Sequence, residues 1–293
     1  MTRMKYTLLI LITTFLMGIA FPIGKLGLAY APPFLLMGIR YTLAGGLLAI
    51  GMAGRAPVPK GGEWLRVATI GLVQTGAVMG CAYYSMHWIS SAESSILTFT
   101  NPLFVIILGT LLLGARYRPR QWVGVLIGFG GVAIAFGVQL GFGPGTVAGL
   151  GGALMFACST LLIKRWGGRF NVYVLVAYQM LLGGIGLLIM SLVAEKPTFT
   201  VSGRSFVIMT CLVIFCSIIQ LILWFRLLQA GDPAKTSAFL FLVPIFGVLG
   251  SWLLLGEPLA WNAAIGGLCT GVGIFLVNWE GARPTVEKSV AVS

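Results

Sequence analysis

Two apolar stretches of this sequence place aromatic and hydrogen-bonding side chains on one helical face. Met79, Tyr83 and His87 recur every four residues, so a helix would present a phenol and an imidazole together. A second stretch combines a hydroxyl, an amide and an indole in a similar way, through Ser217, Gln220 and Trp224. Such a surface could bind an amphipathic small molecule, although aromatic residues at helical spacing are also typical of ordinary packing.

Other polar or aromatic residues lie inside apolar runs, where exposure to lipid would be costly. Asn101 and Gln179, like the glutamine above, are therefore interpreted as cavity-lining residues, together with the aromatic pair Phe99 and Phe241. No Asp or Glu lies in the middle of an apolar run, so a carboxylate proton relay has no candidate. His87 is the only histidine, and it is interpreted either as a neutral hydrogen-bonding residue or as a proton-responsive one.

Arg40 is a charged residue inside the second apolar run of the chain. A guanidinium in the middle of a membrane helix costs several kcal/mol unless it is paired or hydrated. Two interpretations stay open: Arg40 contacts a substrate carboxylate, or it is held by Glu93 or by backbone carbonyls near the outer mouth. Its counterpart in the duplication described next is Gln179.

The sequence contains an internal duplication. Residues 92–131 and 234–273 match at a shift of 142 residues, with 12 of 40 positions identical, and Pro102 falls on Pro244. The segments that begin each half align at a shift of 139. A proline inside an apolar run bends its helix, and paired breaks in related halves indicate a transporter's binding site. Pro102 and Pro244 are therefore predicted hinges.

The composition indicates a polytopic membrane protein, because 58% of the residues are hydrophobic, only 9% are charged, and the mean hydropathy is +0.99. The net charge of +12 is interpreted as topogenic charge on cytoplasmic loops, and no soluble domain that could bind nucleic acid is expected. Five cysteines without metal-ligand spacing indicate neither a disulfide framework nor a metal site. We expect no cofactor, and we expect a monomer whose partners are a small-molecule substrate and the lipid bilayer.

The predicted fold class is an all-α polytopic membrane protein with ten transmembrane helices. Since each half would hold five helices, an odd number, the second half would insert upside down, which gives a 5+5 inverted-topology repeat. With the N-terminus inside, 15 of the 19 Lys and Arg residues are cytoplasmic, which predicts both termini on the cytoplasmic side of a bacterial inner (plasma) membrane. The predicted units are residues 1–140 (first repeat), 141–280 (second, inverted repeat) and 281–293 (disordered cytoplasmic tail). The predicted helices lie near residues 4–24, 33–52, 65–87, 92–114, 119–138, 146–165, 171–193, 205–228, 235–256 and 259–279.

Several stretches of the chain resemble the EamA-type branch of the drug/metabolite transporter superfamily. They are MGIAFPIGKLGL in helix 1, Arg40 in helix 2, YYSMHWISSAESSILTFTNPLFVIILGTLLLG, and WFRLLQAGDPAKTSAFLFLVPIFGVLGSWLLLGEP in the second half. The resemblance covers nearly the whole chain. It implies a 5+5 inverted fold that moves small metabolites, often outward, with an aromatic amino-acid exporter of the family as the nearest resemblance. The first repeat departs from the family in one respect, because Ala115 follows Gly114 where glutamate is common.

The predicted function is a secondary transporter that exports small amphipathic metabolites, first among them aromatic or bulky apolar amino acids, by alternating access. No enzyme activity is expected. The alternatives are a multidrug or cation exporter of the same superfamily, although helix 1 lacks a carboxylate, and an integral-membrane lipid-modifying enzyme, which would need clustered His, Asp or Glu. The predicted substrate-binding residues are Tyr83, His87, Phe99, Asn101, Gln220, Trp224, Phe241, Gln179 and Arg40.

Overall fold

The structure, a computed structural model, describes residues 3–114, 118–135, 143–230, 236, 239–257 and 261–278. Within these ranges the regular elements are helices, with no strand. A helix suits an apolar chain in lipid because it satisfies its own backbone N–H and C=O groups. The α-helices of the first half are α1 (Arg3–Gly27), α2 (Pro33–Met52), α3 (Glu63–Gly71), α4 (Val78–Ser85), α5 (Ser91–Thr98), α6 (Asn101–Leu113) and α7 (Pro119–Ala135). Those of the second half are α8 (Pro144–Trp166), α9 (Val172–Ala194), α10 (Gly203–Val213), α11 (Gln220–Ala230), α12 (Leu242–Leu255) and α13 (Trp261–Asn278).

Each of the ten predicted segments contains helix in the part of it that the structure describes. Among the described residues, seven helical segments are long and apolar enough to cross a membrane, and α12 is a shorter apolar helix. The chain is therefore an all-helical protein with several membrane-spanning helices, and the count of ten crossings remains a prediction. The seven are Tyr6–Gly27, Pro33–Met52, Glu63–Ser85, Ser91–Leu112, Pro144–Arg169, Val172–Ala194 and Gly203–Ala230.

The fourth predicted helix is interrupted just before its proline. α5 ends at Thr98, and α6 begins at Asn101 with Pro102 in its first turn. Proline fits this position because the N–H that it lacks would have no helical partner there. The sequence-based expectation of a proline inside a continuous helix is therefore corrected: the chain leaves the helix first, and the proline starts the next one. Pro244 likewise lies in the first turn of α12, after the 3-10 turn Phe239–Phe241.

Two π-helical turns occur at equivalent positions of the duplication. Leu72–Ala77 joins α3 to α4, and Ile214–Ile219 joins α10 to α11. The shift of 142 that relates the two halves in sequence also relates these two turns. A π-turn inside a helix is rare and frequently marks a functional site, so a matching pair is a shared structural device of the two halves.

Equivalent helices of the two halves pack directly against each other: α2 lies along α9, and α7 lies along α13. Gly45 and Gly184, which are counterparts at the shift of 139, lie where α2 and α9 approach closely. A Cβ added to Gly45 would lie 2.4 Å from the backbone nitrogen of Leu181, and one added to Gly184 would lie 2.5 Å from that of Thr42. Since Thr42 and Leu181 are also counterparts, the same contact is made in both directions, as a pseudo-twofold relation requires.

Carboxylates hold the amino-terminal ends of helices on the described part of the chain. Ser90 and Glu93 form a capping box at the start of α5. The two carboxylate oxygens of Glu195 accept hydrogen bonds of 2.9 and 3.1 Å from backbone N–H groups at the start of α2. Glu257 accepts hydrogen bonds from the backbone N–H and the hydroxyl of Ser91, at 3.3 and 3.1 Å. Negative charge is favourable at these positions because the first N–H groups of a helix lack helical partners.

Candidate functional site

Five buried aromatic rings form a continuous row through the core, here called the aromatic row: Tyr83, Phe21, Phe99, Phe156 and Trp224. Successive ring centroids are 5.9, 5.6, 5.8 and 5.9 Å apart. These separations lie within the range in which aromatic pairs attract each other. Each ring is nearly inaccessible to solvent. The row is therefore a continuous series of packed aromatic rings inside the protein.

The aromatic row is assembled from both halves of the chain. α1 contributes Phe21, α4 contributes Tyr83, and Phe99 lies at the break between α5 and α6, whereas α8 and α11 contribute Phe156 and Trp224. Tyr83, Phe99 and Trp224 were predicted from the sequence, whereas the two phenylalanines that link them were not. The available signal for Phe21 was its position directly before Pro22, inside the motif that carries the family resemblance.

Arg40 lies at the Tyr83 end of the aromatic row and is only 1% exposed. Its Nε donates to Ser217 Oγ at 2.7 Å, and its Nη2 donates to the carbonyl oxygen of Cys216. Its Nη1 is 3.4 Å from the hydroxyl oxygen of Tyr83, and its guanidinium carbon is 4.7 Å from the centroid of the Tyr41 ring. The guanidinium is thus held by a hydroxyl and a backbone carbonyl from the second π-turn.

The counterpart of this contact occurs in the other half. The hydroxyl of Thr75 donates to Gln179 Oε1 at 2.9 Å. Thr75 corresponds to Ser217 at the shift of 142, and Gln179 corresponds to Arg40 at the shift of 139. One interhelical contact is therefore made twice, with a guanidinium in one copy and a neutral amide in the other. Glu93, one of the partners considered for Arg40, is instead engaged in the α5 capping box.

Several buried side-chain polar atoms have no hydrogen-bond partner among the described residues. Four of them lie at the α5–α6 break and at the far end of the aromatic row: Thr98 Oγ1, both side-chain polar atoms of Asn101, and Trp224 Nε1; the others are on Thr42, Ser95, Arg120, Gln179 and Ser191. Leaving a buried polar group unpaired costs about 1–3 kcal/mol, so a persistent case in a protein needs an explanation. A bound substrate that supplies donors and acceptors is one such explanation, and Asn101 and Trp224 were predicted from sequence for this role.

The remaining predicted site residues differ in how close they come to this region. Gln220 is buried on α11, one turn before the indole of the aromatic row. His87 is exposed and lies edge-on to Tyr84, with ring centroids 5.4 Å apart. It falls outside the buried cluster because the helix predicted over 65–87 ends two residues earlier. The side chain of Phe241 lies outside the described residues, so the expected symmetry with Phe99 stays a prediction.

Comparison with known proteins identifies the family. The model of the EamA-like transporter family matches this chain twice, over residues 4–137 and 143–279. The chain belongs to the EamA-like transporter family.

Curated relatives of this EamA-like protein carry transporter names. It is 26% identical to "Uncharacterized transporter YvbV" of Bacillus subtilis, an alignment that covers 99% of this chain and 96% of the relative. It is 29% identical to "Uncharacterized inner membrane transporter YedA" of Escherichia coli K12, over 89% of this chain and 85% of the relative. A crystal structure with 20% sequence identity superimposes with a TM-score of 0.74, covers 94% of this chain and 98% of its own, and shows the shared fold.

Membership in the EamA-like family makes the chain a multi-pass membrane transporter and not an enzyme. The two family matches coincide with the two halves that the sequence shifts relate. In this EamA-like transporter the aromatic row and both π-turn contacts join residues of one half to residues of the other. The region between the two halves is therefore the candidate site, and within the described residues no group of three His, Cys, Asp or Glu is placed to bind a metal ion.

Proposed function

We propose that this EamA-like transporter exports small amphipathic metabolites, first among them amino acids with aromatic or bulky apolar side chains. The observation that carries this proposal is the presence of unpaired buried polar atoms on Thr98, Asn101 and Trp224 together with the aromatic row. An amino acid matches this combination, because its side chain is apolar while its ammonium and carboxylate groups supply hydrogen-bond donors and acceptors.

The cargo would bind between the two halves and reach either side of the membrane by alternating access. We propose ten membrane helices in a 5+5 inverted repeat, since an inverted repeat allows the two halves to exchange conformations around one central site. Pro102 and Pro244 begin new helical segments, and the interrupted backbone just before Pro102 offers a point at which its helix can bend. The proposed location is the bacterial inner membrane, with both termini in the cytoplasm and the protein acting as a monomer.

The binding energy supplied by such a site is modest. A stacked or edge-to-face aromatic contact contributes about 0.5–1.5 kcal/mol beyond the area that it buries. A cargo ring that meets two rings of the row therefore gains only a few kcal/mol. Weak binding of this kind suits a transporter because the cargo must leave the site as readily as it enters.

The test is uptake by proteoliposomes that contain the purified full chain, with phenylalanine, tryptophan, alanine and a cationic dye as cargoes. Trp224→Phe keeps an aromatic ring but removes the unpaired N–H, whereas Trp224→Ala removes both. We expect Trp224→Ala to slow transport of the aromatic amino acids several-fold, with a smaller effect on alanine, and Trp224→Phe to lie between it and the wild type.

Trp261→Ala is the matched control, because Trp261 is 84% exposed and lies on α13, away from the aromatic row. It should leave transport of all four cargoes unchanged. If folded Trp224→Ala protein transports phenylalanine at the wild-type rate, the cargo does not bind at the aromatic row, and the site lies on other helices. Transport of the dye in preference to amino acids would favour the cation-exporter alternative.

A further inference from the structure

We propose that the buried guanidinium of Arg40 selects cargo by binding a carboxylate, so that carboxylate-bearing compounds are carried in preference to matching amines. This inference rests on the proposed transport function and adds a charge requirement to it. Four observations support it: the charge of Arg40 is not matched by a described carboxylate, its counterpart is neutral, one of its nitrogens is poorly bonded, and it adjoins the aromatic row.

The positive charge of Arg40 is not balanced by any carboxylate in the part of the chain that the structure describes. Arginine stays protonated in proteins, so its charge is permanent. Its contacts are to a hydroxyl, a backbone carbonyl, a phenol, a thioether and an aromatic face, all of them neutral. The described carboxylates are instead engaged with backbone N–H groups at or next to helix ends: Glu63, Glu93, Glu195 and Glu257. An unmatched buried charge is strongly unfavourable unless another charge joins it.

The duplication supplies an internal control for the structural role of this charge. Gln179 occupies the equivalent position and bonds to Thr75, the equivalent of Ser217. A neutral amide therefore suffices to link the helix to the facing π-turn. Because the fold does not need a charge at this position, the guanidinium of Arg40 calls for a functional explanation.

The nitrogen Nη1 of Arg40 is the atom best placed to take a ligand. Its neighbours are the Tyr83 hydroxyl at 3.4 Å and the Met37 sulfur at 3.7 Å. An N–H···O bond is normally about 2.7–3.2 Å long, so the contact to the Tyr83 hydroxyl is weak, and a thioether sulfur is itself a weak acceptor. A carboxylate could accept two parallel hydrogen bonds from one guanidinium, a stronger and more directional arrangement than the present neutral contacts.

The position of Arg40 also sets the orientation of the cargo. Tyr83 contacts Arg40 and is the first ring of the aromatic row. A cargo with its carboxylate at Arg40 would direct its ammonium group and its aromatic group along the row, towards the unpaired polar atoms at the α5–α6 break. An amine in the same position would bring a second positive charge against the buried guanidinium, where repulsion is poorly screened.

The experiment measures competition against radiolabelled phenylalanine in proteoliposomes. The competitors share one ring and a similar chain: 3-phenylpropionate has the carboxylate alone, and phenethylamine has the amine alone. We expect 3-phenylpropionate to compete better than phenethylamine by about tenfold or more, which corresponds to one charge-assisted hydrogen bond. Equal competition by the two compounds, in wild-type protein, would overturn the inference without any variant.

Variants of Arg40 then connect the preference to this residue. Arg40→Gln copies the residue found at the counterpart position and should bring the two competitors to within about twofold of each other. Arg40→Lys keeps the charge and should keep the direction of the preference. Arg226→Gln removes a positive charge from an exposed position on α11 and should leave the preference unchanged. A preference that survives Arg40→Gln, or that disappears in Arg226→Gln, would contradict the assignment.

A second readout separates failure of this inference from failure of the proposed function. The purified protein is heated with matched carboxylates and amines, and the increase in Tm is measured. The pairs are butyrate with propylamine and 3-phenylpropionate with phenethylamine. This increase reports the charge preference without transport. Absence of phenylalanine transport would refute the proposed cargo, while stabilisation by carboxylates alone would still support the role of Arg40. Stabilisation by amines as large as that by carboxylates would refute that role.

Discussion

Replacing Gly45 with alanine tests whether the two halves meet as closely as the structure indicates. A Cβ at this position would lie 2.4 Å from the backbone nitrogen of Leu181 and 2.6 Å from the carbonyl oxygen of Ala177. Both obstacles are backbone atoms of α9, so no side chain can rotate out of the way. The helices would have to separate by about 1 Å to restore ordinary contact distances of about 3.5 Å or more. Forcing extra atoms into a packed interior typically costs about 1–3 kcal/mol.

Gly46→Ala is the matched control, because the same change one residue along α2 meets no atom within 4 Å. Alanine is favoured over glycine in a helix by roughly 0.5–1 kcal/mol, so this variant should be as stable as the wild type or slightly more stable. The assay is the apparent Tm of purified protein in detergent, and Gly45→Ala should lower it by several degrees. A Tm for Gly45→Ala equal to that of Gly46→Ala would mean that α2 and α9 do not approach this closely.

Three further predictions concern the breaks, the topology and a helix cap. Pro102→Ala and Pro244→Ala should slow transport markedly while changing the free energy of unfolding little, because alanine permits a continuous helix at the proposed hinge. Unchanged transport in both variants and in the double variant would refute hinges there. Single cysteines introduced at Gly61 and Gly143 should react with impermeant reagents from opposite sides of the membrane, and labelling from one side would contradict the inverted repeat. Ser90→Ala removes the side-chain cap of α5 and should lower the free energy of unfolding by about 1 kcal/mol, as chemical denaturation of the purified protein would measure.

Much of the helical arrangement was accessible from sequence because hydrophobic length and internal similarity are strong signals in a membrane protein. The duplication led directly to Pro102 and Pro244 as equivalent positions. It did not reveal that the helix stops before Pro102, since composition cannot distinguish a kinked helix from two consecutive ones. The two π-turns were also missed, because one extra residue in a helical turn leaves no trace in apolar spacing.

The candidate site was partly predictable for a similar reason. Tyr83 and Trp224 stand out as aromatic residues with polar neighbours at helical spacing, and both belong to the row. Phe156 did not stand out, because a phenylalanine in an apolar helix is indistinguishable from packing until its neighbours are known. His87 was included on a helical face that ends before reaching it. The carbonyl oxygen of Cys216, which accepts a hydrogen bond from Arg40, lies 176 residues away in sequence. Only the folded chain reveals this pairing.

Joining the two halves in one polypeptide allows copies of one contact to diverge. Two identical half-length chains related by a twofold axis would carry the same residue at both positions, so an arginine would bury two like charges. In the single chain, Arg40 stands on one side of the α2–α9 contact and Gln179 on the other. Under the proposed inverted repeat, the two faces of the transporter would be electrostatically different, and apparent affinities measured from the two sides of the membrane would differ. Thermodynamics still requires that an uncoupled neutral cargo reach equal concentrations on both sides. The asymmetry therefore affects the transport rate and the half-saturating cargo concentration in each direction, but not the final equilibrium.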